Sequence, residues 1–119
     1  MNVLKIRKSG TFYNVFDDDC YILYYLFGYS IKNNKIVFPK SALNKVINKL
    51  DEVKINYEVV GEDIKSNFKN LNKYLKFVDY GKNKYNKDIH FVNIMDKLDK
   101  VSSLKLEKIL IAIESILDE

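Results

Sequence analysis

Phe12, Tyr13 and Asn14 follow directly on Gly10-Thr11, with Lys5, Arg7 and Lys8 just upstream. Aromatic rings interleaved with cations suit nucleic acid: rings stack on bases or wedge between them, while ammonium and guanidinium groups meet phosphates. A second basic set, Lys65, Lys69, Lys73 and Lys76, has the spacing of one helix face and would track a phosphate backbone. A solvated helix face explains that spacing without any ligand. Tyr74, Tyr80 and Tyr85 lie nearby, placed either to stack on bases or to finish the edge of a core.

The other reactive side chains offer no route to catalysis. Asp17, Asp18 and Asp19 are adjacent. Adjacent helical residues diverge, whereas a hard cation needs converging oxygens. Capping and the helix dipole explain the triplet without an ion. His90 is the single histidine and stands in no motif with a carboxylate or a nucleophile. Cys20 is the single cysteine, which excludes an internal disulfide and a cysteine-based zinc site. Its apolar neighbours make it a buried, inert thiol. The chain contains no phosphate-binding glycine loop, zinc-protease motif or nucleophile elbow. No enzyme activity, cofactor or metal is expected.

The 119 residues carry a formal charge of +4 and are 47% hydrophobic, which is enough apolar material for a core. The charge is unevenly spread. Residues 1–61 hold nine Lys/Arg against six acids, 62–88 seven against four, and 89–119 four against six. A polyanion surface is therefore expected before residue 89. No apolar stretch is long enough to span a bilayer and no basic-then-apolar leader is present, so a cytoplasmic protein without membrane contact is expected.

Certain elements must position these side chains. Period-two alternation over residues 3–8 puts Leu4 and Ile6 on one face of a strand and Lys5 and Arg7 on the other. After the Ser9-Gly10 bend, a second strand over 11–16 separates Phe12, Asn14 and Phe16 from Thr11, Tyr13 and Val15. Asp17 is placed to N-cap a helix, apolar nearly all round, that runs to Phe27 and stops at Gly28. Residues 29–38 read as a hairpin turned at Asn33-Asn34, closed by Pro39. A helix starting at Lys40 or Ser41 follows, with the apolar stripe Leu43, Val46, Ile47 and Leu50, and residues 54–60 return to strand.

Beyond Gly61 the pattern is helical. A helix over 63–80 would carry the stripe Ile64, Phe68, Leu71, Leu75 and Val78 and break at Gly81-Lys82-Asn83. Helices over 88–99 and 103–117, hinged at Ser102-Ser103, would form an αα-hairpin. In it Phe91, Met95 and Leu98 would face Leu106, Ile109, Leu110, Ile113 and Leu117. The expected fold is α+β: a small mixed sheet in the order ββαββαβ flanked by helices over 1–61, then a helical segment over 62–119.

With these elements in place, Gly10-Thr11-Phe12-Tyr13 resembles a motif of the N-terminal mismatch-recognition domain of the MutS mismatch-repair family. The shared order covers Lys5–Phe16, Asp17–Phe27, Tyr29–Ile31, Pro39–Leu50 and Asn56–Val60. The resemblance implies a DNA partner, a minor-groove wedge role for Phe12, and phosphate contacts from Lys5, Arg7 and Lys8. It departs from the family at Asn14, which replaces a glutamate, although an amide also bonds a base edge. The clamp, connector and ATPase domains have no counterpart in this chain.

Two readings follow. In the first, the chain is a non-enzymatic nucleic-acid-binding module recognising distorted or mismatched duplex through Phe12. Its contacts would be Tyr13, Asn14, Lys5, Arg7, Lys8, Lys65, Lys69, Lys73 and Lys76. In the second, it is an interaction or regulatory protein that keeps the fold without DNA. Another protein, or a second copy of the chain, would then dock on the C-terminal helices. A nuclease would need carboxylates converging near a lysine, and no such set can be assembled. Exposure of Phe12 beside the basic residues favours the first reading. Burial of Phe12 under the first helix, with an exposed apolar patch on residues 104–117, favours the second.

Overall fold

A computed structural model describes residues 2–100 and 103–117. Strand β1 (Leu4–Ser9) turns into β2 (Phe12–Phe16), and the two pair antiparallel with Arg7 opposite Asn14 and Ser9 opposite Phe12. Helix α1 (Asp18–Phe27) leads to β3 (Lys35–Pro39), which lies antiparallel along the other side of β2. A 3₁₀ turn at Lys40–Ala42 opens α2 (Leu43–Val53), which carries the chain to β4 (Tyr57–Val60), parallel to β1. The short β5 (Ile64–Lys65) folds back on β4. The result is a mixed five-stranded sheet in the order β3-β2-β1-β4-β5, so the chain adopts the expected α+β class. Helices α3 (Tyr74–Asp99) and α4 (Ser103–Leu117) follow. Contacts divide the chain into two compact units, the first ending at Tyr85 and the second beginning at Asn86.

Alternation makes the core of the first unit. Leu4 and Ile6 of β1, Tyr13 and Val15 of β2, Ile36 and Phe38 of β3, and Tyr57 and Val59 of β4 are all buried on one sheet face. Against them lie Cys20, Ile22 and Leu23 of α1, Val46 and Leu50 of α2, and Tyr74 and Val78 of α3. Each aliphatic side chain so buried contributes about 1.5–3 kcal/mol, which is why the strand periods were legible. Tyr13 stacks on Phe38 at 5.9 Å, and its hydroxyl donates to Glu62 Oε1 at 3.0 Å.

Several local expectations are corrected. Residues 29–31 form no strand. The Asn33-Asn34 turn does take left-handed angles (φ 52° and 61°), but only one bridge, Lys32 to Lys35, closes it. β3 instead finds its partner in β2, where it can bury Ile36 and Phe38. Asp17 does not cap α1 with its side chain, because φ is 56° there and its carboxylate accepts from the Asn34 side-chain amide.

The expected helix over 63–80 is replaced by β5, a 3₁₀ turn at Lys69–Leu71, and a helix beginning only at Tyr74. Short polar side chains tie this segment to its neighbours and capture two N–H groups of the expected helix, those of Phe68 and Tyr74. Asn56, completely buried, accepts the Phe68 N–H at 2.6 Å, and its own N–H donates to Asn72 Oδ1 at 3.0 Å. Its carbonyl accepts the Leu4 N–H at 2.9 Å. Asn72 Oδ1 also accepts the Tyr74 N–H at 3.2 Å, and Ser66 Oγ accepts the Tyr57 N–H at 3.0 Å. The expected stripe is accordingly lost, with Ile64, Leu71 and Leu75 exposed.

Gly81 does not break α3. It is buried, and a Cβ built on it would lie 2.0 Å from the Tyr21 carbonyl oxygen. Glycine is there for close approach of two helix backbones, α3 to α1, rather than for a turn. Tyr85, one turn on, meets Tyr21 and Tyr24 edge-on at 5.6 and 5.4 Å. Of the αα-hairpin seam expected near the C-terminus, Leu98 is buried and Ile109 half-buried, whereas Phe91, Met95, Leu110, Ile113 and Leu117 are exposed. Ser102 and the side chain of Leu106 lie outside the described residues.

Replacing glycine by alanine normally strengthens a helix interior. Gly81→Ala is expected to do the reverse, lowering stability by about 2 kcal/mol or more, because backbone on α1 must give way. Urea unfolding that shows a lower midpoint at an unchanged slope would record it; a stabilised variant would contradict the packing.

Candidate nucleic-acid interface

Every strand that buries alternate residues displays the others, and here they gather on the second sheet face. Reading across the registers, β3 offers Lys35 and Val37, β2 offers Phe12, Asn14 and Phe16, β1 offers Lys5 and Arg7, β4 offers Glu58 and Val60, and β5 offers Lys65. Phe12 is 48% exposed, Val37 47% and Phe16 38%. Large apolar side chains are left in water on the face that also carries Lys5, Arg7, Lys35 and Lys65.

The electrostatics are lopsided. Lys5 pairs with Glu58 across β1 and β4 and holds that carboxyl below its usual range. Arg7, Lys35 and Lys65 are the other cations on the face, and Asp17, Asp18 and Asp19 lie at one end of it beside Arg7. Arg7 stands directly opposite Asn14. The Asn14 Oδ1 is shut off from water and has no hydrogen-bond partner among the described residues. An unpaired acceptor of this kind costs about 1–3 kcal/mol.

At one end of the face Phe16, Lys5 and Arg7 border a cleft of about 350 Å³ with Asp17, Asp18, Asp19 and Tyr74. The three carboxylates are separately engaged. Asp17 accepts from Asn34, Asp18 lies 3.3 Å from Lys82 Nζ, and Asp19 accepts the Lys5 N–H at 3.0 Å and the Tyr74 hydroxyl. Burial raises the Asp19 carboxyl above its ordinary value despite those two donors. Among the described residues no group of carboxylates, histidines or cysteines is arranged to hold a metal ion.

The structure sorts the residues singled out in the sequence. Phe12, Asn14, Lys5, Arg7 and Lys65 come together on the open face. Tyr13 does not: it is 1% exposed and belongs to the core, so its place among nucleic-acid contacts is withdrawn. Lys8 is exposed but pairs with Tyr13, and thus belongs to the opposite face. The lysine stripe is dispersed, because it presupposed a helix that does not form. Lys65 is on β5, Lys69 in a 3₁₀ turn at φ 51°, Lys73 ahead of α3 with its N–H donating to the Lys54 carbonyl, and Lys76 on α3 over the Tyr80 ring at 5.8 Å. Phe16, Lys35 and Val37 join the face without having been named as contacts. Alternation in Lys35–Pro39 marks that side, but only the β2–β3 register reveals which neighbours it meets.

Compared with models of known protein families, with curated proteins and with solved structures, the chain finds no match. Among the described residues no helix is long and apolar enough to cross a membrane.

Cys20, on the covered side, is a control for this division of the sheet. It is fully buried, with its thiol directed to the carbonyls of Val15 at 3.4 Å and Asn34 at 3.6 Å. Burial, reinforced by Asp19, pushes the thiol up to about 11. The unfolded thiol ionises near 9, so folding loses stability as pH rises from about 9 to 11. Cys20→Ala is expected to remove that part of the alkaline decline, measured as the difference between the two unfolding curves at pH 8 and pH 10.5. An identical pH dependence would show the thiol to be accessible.

Proposed function

We propose that this chain is a non-enzymatic nucleic-acid-binding module whose contact surface is the open face of the five-stranded sheet. One observation carries the reading: β2 displays Phe12 and Phe16 on that face, with Arg7 and Lys35 on the strands beside it and Lys65 at the far edge. Four residues of strand span about 13 Å, so the rings are spaced to receive two separate bases rather than one. Rings lying on a sheet surface stack on bases that are free of a duplex, and neighbouring cations take the phosphates. Unpaired or distorted segments are therefore the preferred ligand class. Asn14, half-buried between the rings, brings its side-chain amide to a base edge.

Phe12 stands at the end of the face beside the β1–β2 turn, in the residue position to which the MutS resemblance assigns a wedge. That role requires a duplex and predicts discrimination between matched and mismatched DNA. The wider face, with Phe16 at its other end, requires only accessible bases.

Binding to single-stranded, matched and mismatched oligonucleotides at two salt concentrations tests the proposal. Three or four phosphate contacts give a slope of log K against log salt of roughly −2 to −3 for a single strand. Phe12→Ala and Phe16→Ala are each expected to weaken single-strand binding by about 1–3 kcal/mol, some five- to 150-fold, in a folded protein. If Phe12 alone controls a preference for mismatched duplex, the wedge role carries over. Absence of binding at low salt, or binding indifferent to salt, would overturn the proposal.

Asn14 yields a second test. Asn14→Val removes an unsatisfied acceptor from mid-strand and is expected to raise stability by about 1 kcal/mol while weakening binding. A variant that gains stability and binds undiminished would show that Asn14 does not touch the ligand.

A further inference from the structure

The second unit presents a surface of a different kind. Phe91 is 63% exposed, Ile116 68% and Leu117 77%, and Met95, Leu110 and Ile113 are also left in water. In α4, Ile109, Ile113 and Ile116 fall four and three residues apart, which lines one face of a helix for packing on a like helix. Leu110 and Leu117 widen the same face. A helix of 15 residues is marginal in water by itself, so this face requires a cover.

Charge and area together select the cover. Residues 86–119 carry five lysines against seven acids, close to balance, so a polyanion finds no attraction there and a second copy meets little repulsion. Residues 1–85 carry fifteen Lys/Arg against nine acids, and two such surfaces would repel each other. The exposed apolar side chains of these helices each leave on the order of 100 Å² open. Among the described residues ten large apolar side chains between Asn86 and Leu117 are exposed, surface on the scale of the roughly 800 Å² per partner that a stable dimer covers.

We infer that the chain self-associates through α4 and the Asn86–Asp99 part of α3, the occupant of the apolar face being the same face of a second copy. The contact is isologous, as in most closed dimers. Its consequence is a particle with two open sheet faces, and it stands independently of what those faces bind.

Sedimentation of the full chain between 1 and 100 μM tests the inference. The expected result is a dimer for the wild type and a monomer for the double variant Ile113→Glu, Ile116→Glu, with the unfolding of the sheet unit unchanged. Should the double variant misfold, Leu117→Glu, at the most exposed position, is expected to weaken dimerisation at least tenfold by itself. A wild type that stays monomeric throughout overturns the inference and leaves the face to a different protein. A dimer undiminished by these substitutions overturns it equally, since the interface then lies elsewhere.

Discussion

Asn56, sealed from water just ahead of β4, holds three stretches of chain at once. Its side-chain oxygen accepts the Phe68 N–H, its main-chain N–H donates to the Asn72 side chain, and its main-chain carbonyl accepts the Leu4 N–H. A buried amide with these bonds broken would cost more than one left in solvent, so the bonds are satisfied together or not at all. That condition fixes where β1 begins, keeps residues 66–72 out of a helix, and sets the start of α3. The parallel pairing of β1 with β4 rests on the same junction.

From that junction the sheet inherits two unlike faces. Alternation along β1 and β2 was legible in the sequence because each strand mixes aliphatic and polar residues with period two, and burial enforces that period. Lys5 and Arg7 could be assigned to one side of β1, and Phe12 and Asn14 to one side of β2, from the sequence. Their common plane could not, because Lys5 and Glu58 meet through a pairing across 53 residues. Tyr13 shows the limit of reading residue types: its neighbours suggested a contact, whereas its position in the period assigned it to the core.

The failures beyond Gly61 have a single physical origin. Apolar residues at helical spacing suggest a helix only if the backbone is free to form one, and Asn56 and Asn72 limit that freedom by taking the Phe68 and Tyr74 N–H groups. Gly81 misled for the complementary reason. Glycine is read as a turn residue, but its small size also lets backbones touch, and only the position of Tyr21 distinguishes the two uses.

The sheet's margins have a further consequence. β3, at one edge, carries Lys35, is bridged by Lys32 and ends in Pro39, which lacks an N–H to offer; β5, at the other, is two residues long. Unpaired strand edges template fibrils, and lysine, proline and brevity are the usual safeguards. A protein that crowds many copies onto one long ligand would bring such edges together at high local concentration. Were copies to collect in that way, these margins would keep them from polymerising into a continuous sheet.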